Sequence, residues 1–338
     1  MAAKPRLAII GAGGIALSHY QGYRAAGAEI VAISDVNEAI LKKRQQEWDI
    51  PFASTNSQEI FDREDIDGVS ICTPNSFHAP LVIAAAKAKK HILCEKPISM
   101  SLAEAQNMID VCNEEGVILQ IGHHLRSANG PSKAKEILSS GALGDLMFIR
   151  LRQAHDWGGD GKVRGVFGLK QYSGGGTMLD NGCHMMDLIR YFAGDVSEIF
   201  ARTATLKFSD IDVEDTSLAS LRFRNGALGS VENAWTATGW EEGFVIFGSQ
   251  GALEFSNRNG PPTLIHRHRQ SPNTTWNTTD VAEYRFHEND GHQIQAYNFL
   301  DAMAGKRPVI CSGEDGLEAI RLVLKGYESA EANAALAL

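Results

Sequence analysis

A strand-length apolar run, Leu7-Ala8-Ile9-Ile10, opens without interruption into Gly11-Ala12-Gly13-Gly14-Ile15-Ala16. Gly11 permits a tight turn off the strand, Gly13 lets backbone approach a pyrophosphate, and the small Ala16 lets the next helix pack against the strand. Gly14 and Ile15 then begin a helix whose amino-terminal amides face the phosphates, and Gly27 is its expected end. Glu29 to Ser34 reads as the following strand and delivers Asp35, close to the spacing at which a carboxylate accepts ribose hydroxyls. Glycines alone serve any tight turn; strand, glycines, helix, strand and acid in that order predict a dinucleotide site. Asp35 would repel a 2'-phosphate, and Val36 and Asn37 follow it rather than an arginine, so the expected cofactor is NAD and NADP is disfavoured.

The alternation continues. Residues 38 to 49 and 60 to 65 read as helical, and 68 to 72 as a strand running into Thr73-Pro74-Asn75. The Thr73 hydroxyl and Asn75 amide either line the cofactor ribose or simply start the next helix, expected from 79 to 89. His91 to Cys94 is a short apolar run that must stop near Glu95, because Pro97 lacks the amide hydrogen a central strand needs. That puts Lys96 at the carboxyl end of a strand, pointing into the ligand crevice. An ammonium there can donate to a substrate hydroxyl and favour its alkoxide. A helix from 102 to 115, with Ser101 and Glu104 as a capping box, precedes a last strand at 117 to 121. Strands alternating with helices imply parallel pairing and right-handed crossovers.

At 338 residues the chain exceeds what one core usually fills, so two domains are expected, 1–123 and 124–338. A net charge of -9 argues against non-specific nucleic-acid binding, which needs a basic face. No apolar stretch is long enough for a bilayer span and none resembles a signal peptide, so no membrane partner is expected. Five cysteines, odd in number and without a Cys-x-x-Cys pair, suit reduced thiols in the cytoplasm.

With these pieces in line the chain resembles the glucose-fructose oxidoreductase, inositol dehydrogenase and rhizopine-catabolism (Gfo/Idh/MocA) oxidoreductase family. The likeness rests on Gly11 to Ala16, Thr73-Pro74-Asn75 with His78, Glu95-Lys96-Pro97, Gly175-Gly176 through Asp180-Asn181-Gly182-Cys183-His184, and Gly248-Ser249-Gln250-Gly251. It implies an α/β Rossmann nucleotide-binding domain followed by an α+β domain with a large, mainly antiparallel open sheet. It also implies NAD-dependent oxidation of a secondary hydroxyl on a sugar, anhydrosugar or cyclitol. Carried over, the catalytic set is Lys96, Asp180 and His184, and the cofactor set gains His78, Glu95 and Lys96. Arg126 matches a position that faces substrate in similar inositol dehydrogenases, though an arginine at a domain junction is as often a salt-bridge partner. Two other outcomes remain open: a glycosidase that retains NAD and oxidises transiently, and a non-catalytic NAD-sensing regulator, which intact Lys96, Asp180 and His184 oppose.

His123-His124-Leu125-Arg126 marks the crossing into the second domain. A helix from 131 to 138 precedes an alternating strand from 145 to 155. The loop His155-Asp156-Trp157 through Lys162 offers an aromatic face and hydrogen-bonding groups to a sugar, with His155 and Asp156 as candidates; an exposed glycine-rich loop is the alternative. Thr177 to Phe192 has helical periodicity, and Asp180 and His184, four apart, share one side of it. There the carboxylate can hold the imidazole while His184 takes the proton that leaves as hydride moves. Asp187 adds a third acidic or basic group, but no ligand spacing accompanies it, and no metal is expected. Strands at 198–208, 216–223, 227–235, 244–247 and 252–255, joined by turns such as Arg224-Asn225-Gly226, predict an antiparallel sheet. One face should take helices, and the other should be covered by a second copy in a homodimer or homotetramer. Trp235 and Trp240 either pack there or reach substrate. Helices near 292–304 and 316–333 close the chain.

Overall fold

The computed structural model describes residues 4–156, 163–258, 260–269, 279–286 and 291–338. By contact the chain divides into two compact units. One is built from the chain up to Ser127 plus the segment that ends at Leu317; the other takes Ala128 onward plus Glu318–Leu338.

The first unit begins with β1 (Arg6–Ile10), α1 (Gly14–Ala25), β2 (Glu29–Ser34), α2 (Glu38–Trp48), β3 (Phe52–Ser54) and α3 (Gln58–Phe61). It continues through β4 (Gly68–Ile71), α4 (His78–Lys87), β5 (His91–Cys94), α5 (Leu102–Glu115) and β6 (Leu119–Ile121). All five strand pairings are parallel, in the order β3-β2-β1-β4-β5-β6. Leu7, Ala8, Ile9 and Ile10 are all buried, as a parallel strand covered on both faces requires. Strand order reverses between β1 and β4, which opens the ligand crevice at their carboxyl ends.

The second unit contains α6 (Asn129–Ser139), β7 (Leu146–His155), α7 (Lys170–Ser173), α8 (Thr177–Ala193), β8 (Val196–Ala204) and β9 (Thr216–Phe223). Next come β10 (Leu228–Ala234), β11 (Trp240–Gly248), β12 (Gly251–Ser256), β13 (Thr263–Arg269) and β14 (Thr279–Arg285). Helix α9 (Gly291–Met303) then returns to the first unit, and α10 (Gly313–Ala332) leads to β15 (Leu336–Ala337). The nine strands order as β14-β13-β12-β11-β7-β10-β9-β8-β15. Every pairing is antiparallel except β7 with β10. In β9, Ser217, Ala219, Leu221 and Phe223 are buried while Leu218, Ser220 and Arg222 are exposed, the alternation of a sheet covered on one side. Helix α8 packs on the covered face, along β7, β9 and β10. On the other face Arg152 bridges Glu232 and Glu241, and a cavity of about 240 Å³ is lined by Phe148, Arg150, Val245, Phe247, Glu254 and Arg267.

Several details depart from the sequence expectation. β3 is only three residues long, too short for a periodic signal. β8 stops at Ala204 rather than continuing to Phe208, because the amides of Leu206, Lys207 and Phe208 turn to donate to the buried Asp215 carboxylate at 3.0, 2.7 and 3.1 Å. The α5 capping box is half formed. Ser101 Oγ accepts from the Glu104 amide at 3.5 Å, but the Glu104 carboxylate accepts from Ser99 Oγ at 2.6 Å instead of reaching back. The return of α9 is the largest feature that a boundary at 123/124 says nothing about. A Cβ on Gly22 of α1 would lie 3.0 Å from the Ala296 side chain, and Ala296 and Phe299 join Tyr23, Leu7 and Ile9 in one core.

Candidate active site

At the carboxyl edge of the first sheet, Gly11 has φ +96°, and a Cβ there would lie 2.6 Å from the Cys72 carbonyl oxygen. Only glycine suits both demands. A Cβ on Gly13 or Gly14 would meet no atom within 4 Å, and no side chain caps α1. The first-turn amides of that helix therefore face an open cradle of the kind a pyrophosphate fills. Asp35 follows β2. Its Oδ2 accepts from the Ala12 amide at 2.7 Å and its Oδ1 from the Asn37 amide at 2.8 Å, so the carboxylate is held beside the loop. These residues fit a dinucleotide. Asp35→Ala should weaken NAD binding by about 10- to 100-fold, the worth of a charge-assisted hydrogen bond, and narrow the preference over NADP. Titration of both nucleotides against the variant measures this.

The next strand ends bring Thr73, Asn75, Glu95 and Lys96 to the same edge. Asn75 opens a short 3₁₀ turn, Asn75–Phe77, and Thr73 is half-buried before it. His78, fully buried, ties two of these turns together: Nδ1 lies 2.8 Å from the Pro97 carbonyl oxygen and Nε2 lies 3.0 Å from that of Thr73. Burial lowers the pKa of this ring more than the two carbonyls raise it, and a neutral ring donates to one of them only. Glu95 is buried and accepts from His19 Nε2 at 2.7 Å and from the Lys96 amide at 3.3 Å. Burial alone would raise its pKa, but the bond and charge of His19, with His292 and Lys96, hold it down at about 2. The Lys96–Pro97 peptide bond is cis. Arg126 is buried and donates to Asp315 Oδ2 at 2.9 Å and to the Ile310 carbonyl at 3.3 Å, so it makes the salt bridge that one reading of its position called for.

In the second unit, α8 starts against Glu214. The Gly176 and Met178 amides donate to its carboxylate at 3.0 and 2.8 Å, the Thr177 amide donates to its carbonyl at 3.0 Å, and the Tyr327 hydroxyl adds a bond at 2.8 Å. This clamp fixes the first turns of the helix, which carry Asp180, half-buried, and His184, 4% exposed. Asp187, one turn on, is also buried. Among the described residues no group of three metal-ligating side chains is gathered.

Beneath α8, His155 at the end of β7 has Nε2 3.2 Å from Asn181 Oδ1 and stacks on Trp240 with ring centroids 4.8 Å apart. Asp156 is exposed at the strand end, and Trp157 to Lys162, the rest of the sugar-loop expectation, lie outside the described residues. Trp235 is fully buried with Val163, Phe208 and Val213, so it is a packing residue. Gln153 donates to Glu242 Oε2 at 2.7 Å, and burial pushes the Glu242 carboxyl up to about 7. Because the folded state holds this proton to higher pH than the unfolded chain, stability should fall as pH rises from about 4.5 to about 7 and stay lowered above that. Glu242→Gln should remove that slope and be more stable than the parent at pH 8 by on the order of 3 kcal/mol, read from denaturant midpoints at several pH values.

The fold is shared with a levoglucosan dehydrogenase solved with NADH and levoglucosan, at a TM-score of 0.89 over 99% of each chain and 24% identity. Residues 5–123 match the model described as the oxidoreductase family, NAD-binding Rossmann fold, and residues 132–254 match the GFO/IDH/MocA C-terminal domain. The myo-inositol 2-dehydrogenase of Thermotoga maritima is 30% identical over 333 residues, covering 96% of this chain and 96% of its own. The chain belongs to the GFO/IDH/MocA oxidoreductase family. The D-glucoside 3-dehydrogenase of Escherichia coli, 27% identical over 96% of this chain and 95% of its own, is a further relative. The first unit of this family member is thus an NAD-binding Rossmann domain, and the protein is an oxidoreductase. Sequence reasoning passed over His19, Asn181 and Glu242. His19 carried a readable signal, since Ala16, His19 and Tyr23 recur on the buried face of α1 and a polar residue on such a face needs a partner.

Proposed function

We propose that this protein reversibly oxidises a secondary hydroxyl of a sugar, anhydrosugar or cyclitol. The observation that carries the reading is the place of Lys96, two residues past the last residue of β5 on the sheet edge that also presents the dinucleotide loop and Asp35. Relatives named as inositol, glucoside and levoglucosan dehydrogenases supply the substrate class. NAD, when bound, accepts the hydride. Lys96 donates a hydrogen bond to the substrate oxygen and stabilises the alkoxide as the proton leaves. His184 takes that proton and returns it in the reverse direction, with Asp180 orienting the ring. Thr73, Asn75 and the turn held by His78 complete the cofactor edge, and His155 and Asp156 serve the substrate.

The open face of the nine-stranded sheet is the surface on which a homodimer or homotetramer assembles, supported by exposed Leu218, Leu228 and Phe247 beside the half-buried Phe148. All five cysteines are buried thiols outside any disulfide, which suits the reducing cytoplasm. Among the described residues no helix is long and apolar enough to cross a membrane.

The test follows reduced-nicotinamide absorbance over a panel of monosaccharides, inositols and anhydrosugars with NAD and NADP in parallel. Steady NADH formation on a member of the panel is the expected result. Silence across the panel ends the dehydrogenase reading, and sugar release from glycosides without net NADH would replace it with transient oxidation.

A further inference from the structure

The carboxylate next to Lys96 terminates a hydrogen-bond chain that the reaction described above does not use. Tyr23 and His19 lie on α1 and Ser70 lies on β4. The Tyr23 hydroxyl is 2.6 Å from Ser70 Oγ, Ser70 Oγ is 3.0 Å from His19 Nδ1, and His19 Nε2 is 2.7 Å from Glu95 Oε1. An ionised carboxylate only accepts, so Nε2 carries a hydrogen toward Glu95 whichever way Ser70 and Tyr23 are turned. The other oxygen of Glu95 accepts the backbone amide of Lys96 at 3.3 Å. Space around the carboxylate is reserved: a Cβ on Gly122 would lie 2.7 Å from Glu95 Oε1.

Six other titratable groups set against Glu95 among the described residues are pressed toward their neutral forms, in each case by burial first. From α1 and the strand ends, the Tyr23 phenol and the Cys72 and Cys94 thiols are pushed up. From α4, the turn at His124–Arg126 and α9, the imidazoles of His78, His124 and His292 are pushed down, His292 to about 4. His124 and His292 stack with centroids 3.7 Å apart. Against these six groups the ionised Glu95 is held by the His19 ring that donates to one oxygen and by the Lys96 amide that donates to the other.

We propose that His19 is a positioning residue for Lys96: by donating to Glu95 it fixes that carboxylate in its ionised form and orientation, and the carboxylate in turn keeps the Lys96 ammonium protonated for the substrate oxygen. The proposal rests on the reading of Lys96 as the catalytic amine. It also gives α1 a second duty. The helix whose first turn faces the cofactor phosphates carries, one turn further on, the side chain that sets the state of the lysine.

The test measures the Lys96 ammonium directly, by nuclear magnetic resonance of ε-carbon-labelled lysine in the full chain, with Lys96→Met assigning the resonance. His19→Phe removes the donor and Glu95→Gln removes the charge; each should lower the Lys96 midpoint by about one pH unit or more, the effect of losing an adjacent opposite charge. His19→Gln, whose amide can still donate to Glu95, should restore most of the parent midpoint. If His19 acts through Glu95, adding His19→Phe to Glu95→Gln should move the midpoint no further. An unchanged Lys96 midpoint in folded His19→Phe overturns the proposal, as does a full extra shift in the double variant. Should His19→Phe fail to fold, Glu95→Gln decides: its midpoint shifts or the proposal falls. None of these readings needs turnover, so a silent substrate panel would sink the dehydrogenase assignment while leaving the His19 result to stand or fall by itself. With turnover in hand, the alkaline limb of kcat should move with the Lys96 midpoint, which a purely structural role for His19 would not cause.

Discussion

Lys96→Met is expected to lower kcat by about a thousandfold while NAD still binds, since a positioned proton donor is worth about 10²- to 10⁴-fold. Methionine keeps an unbranched apolar stem of similar length and deletes only the ammonium. The backbone amide that donates to Glu95 is untouched by the change, so the turn keeps one of its anchors. The cradle at Gly13 and Gly14 and the Asp35 carboxylate lie on other strand ends, which is why nucleotide affinity should survive. Steady-state turnover on the best substrate of the panel, beside a nucleotide titration, separates the two effects. Turnover equal to the parent would remove the lysine from the chemistry.

Gly176→Ala should be the most damaging single-methyl change in the second unit, costing about 4 kcal/mol, the range reserved for backbone collisions and broken buried networks. A Cβ at this position overlaps the Glu214 carbonyl oxygen, and the obstacle is main chain, which cannot swing aside as a side-chain tip can. Relief requires moving Glu214, which would loosen its carboxylate from the Gly176 and Met178 amides and its carbonyl from the Thr177 amide. The orphaned amides are those that start α8, so Asp180, one turn in, moves with them. Denaturant unfolding and turnover should fall together. A variant with parental stability would show that the Glu214 clamp is not what fixes this helix.

Much of the fold could be read from single residues. Glu29 to Ser34 was legible as a strand because five apolar or small residues run unbroken between a loop and an acid, and α8 was legible because its apolar residues recur at helical spacing for nearly five turns. Asp35 and Lys96 stood out because their neighbours, a glycine loop and a proline, restrict the backbone in known ways. The rest depends on distant partners. β8 ends where Asp215 gathers amides from seven to nine residues before it, and Glu214 meets Gly176 from 38 residues away. His19 and Glu95 are 76 apart in sequence, and nothing local at either position announces the other. Buried polar groups are the least legible class, because a sequence states that a histidine is present and not what it donates to.

The return of α9 bears on the order in which the protein can be made. Tyr23 and Leu7 emerge from the ribosome early, whereas Ala296 and Phe299, which complete their core, are synthesised about 270 residues later. Until then the first six strands can pair, yet the apolar flank of α1 has no cover, and the nascent nucleotide unit must wait through the first stretch of the second unit, Ala128–Asn289, before it closes. A message cut short before codon 291 would release a chain with that flank bare, prone to chaperone capture rather than to binding NAD.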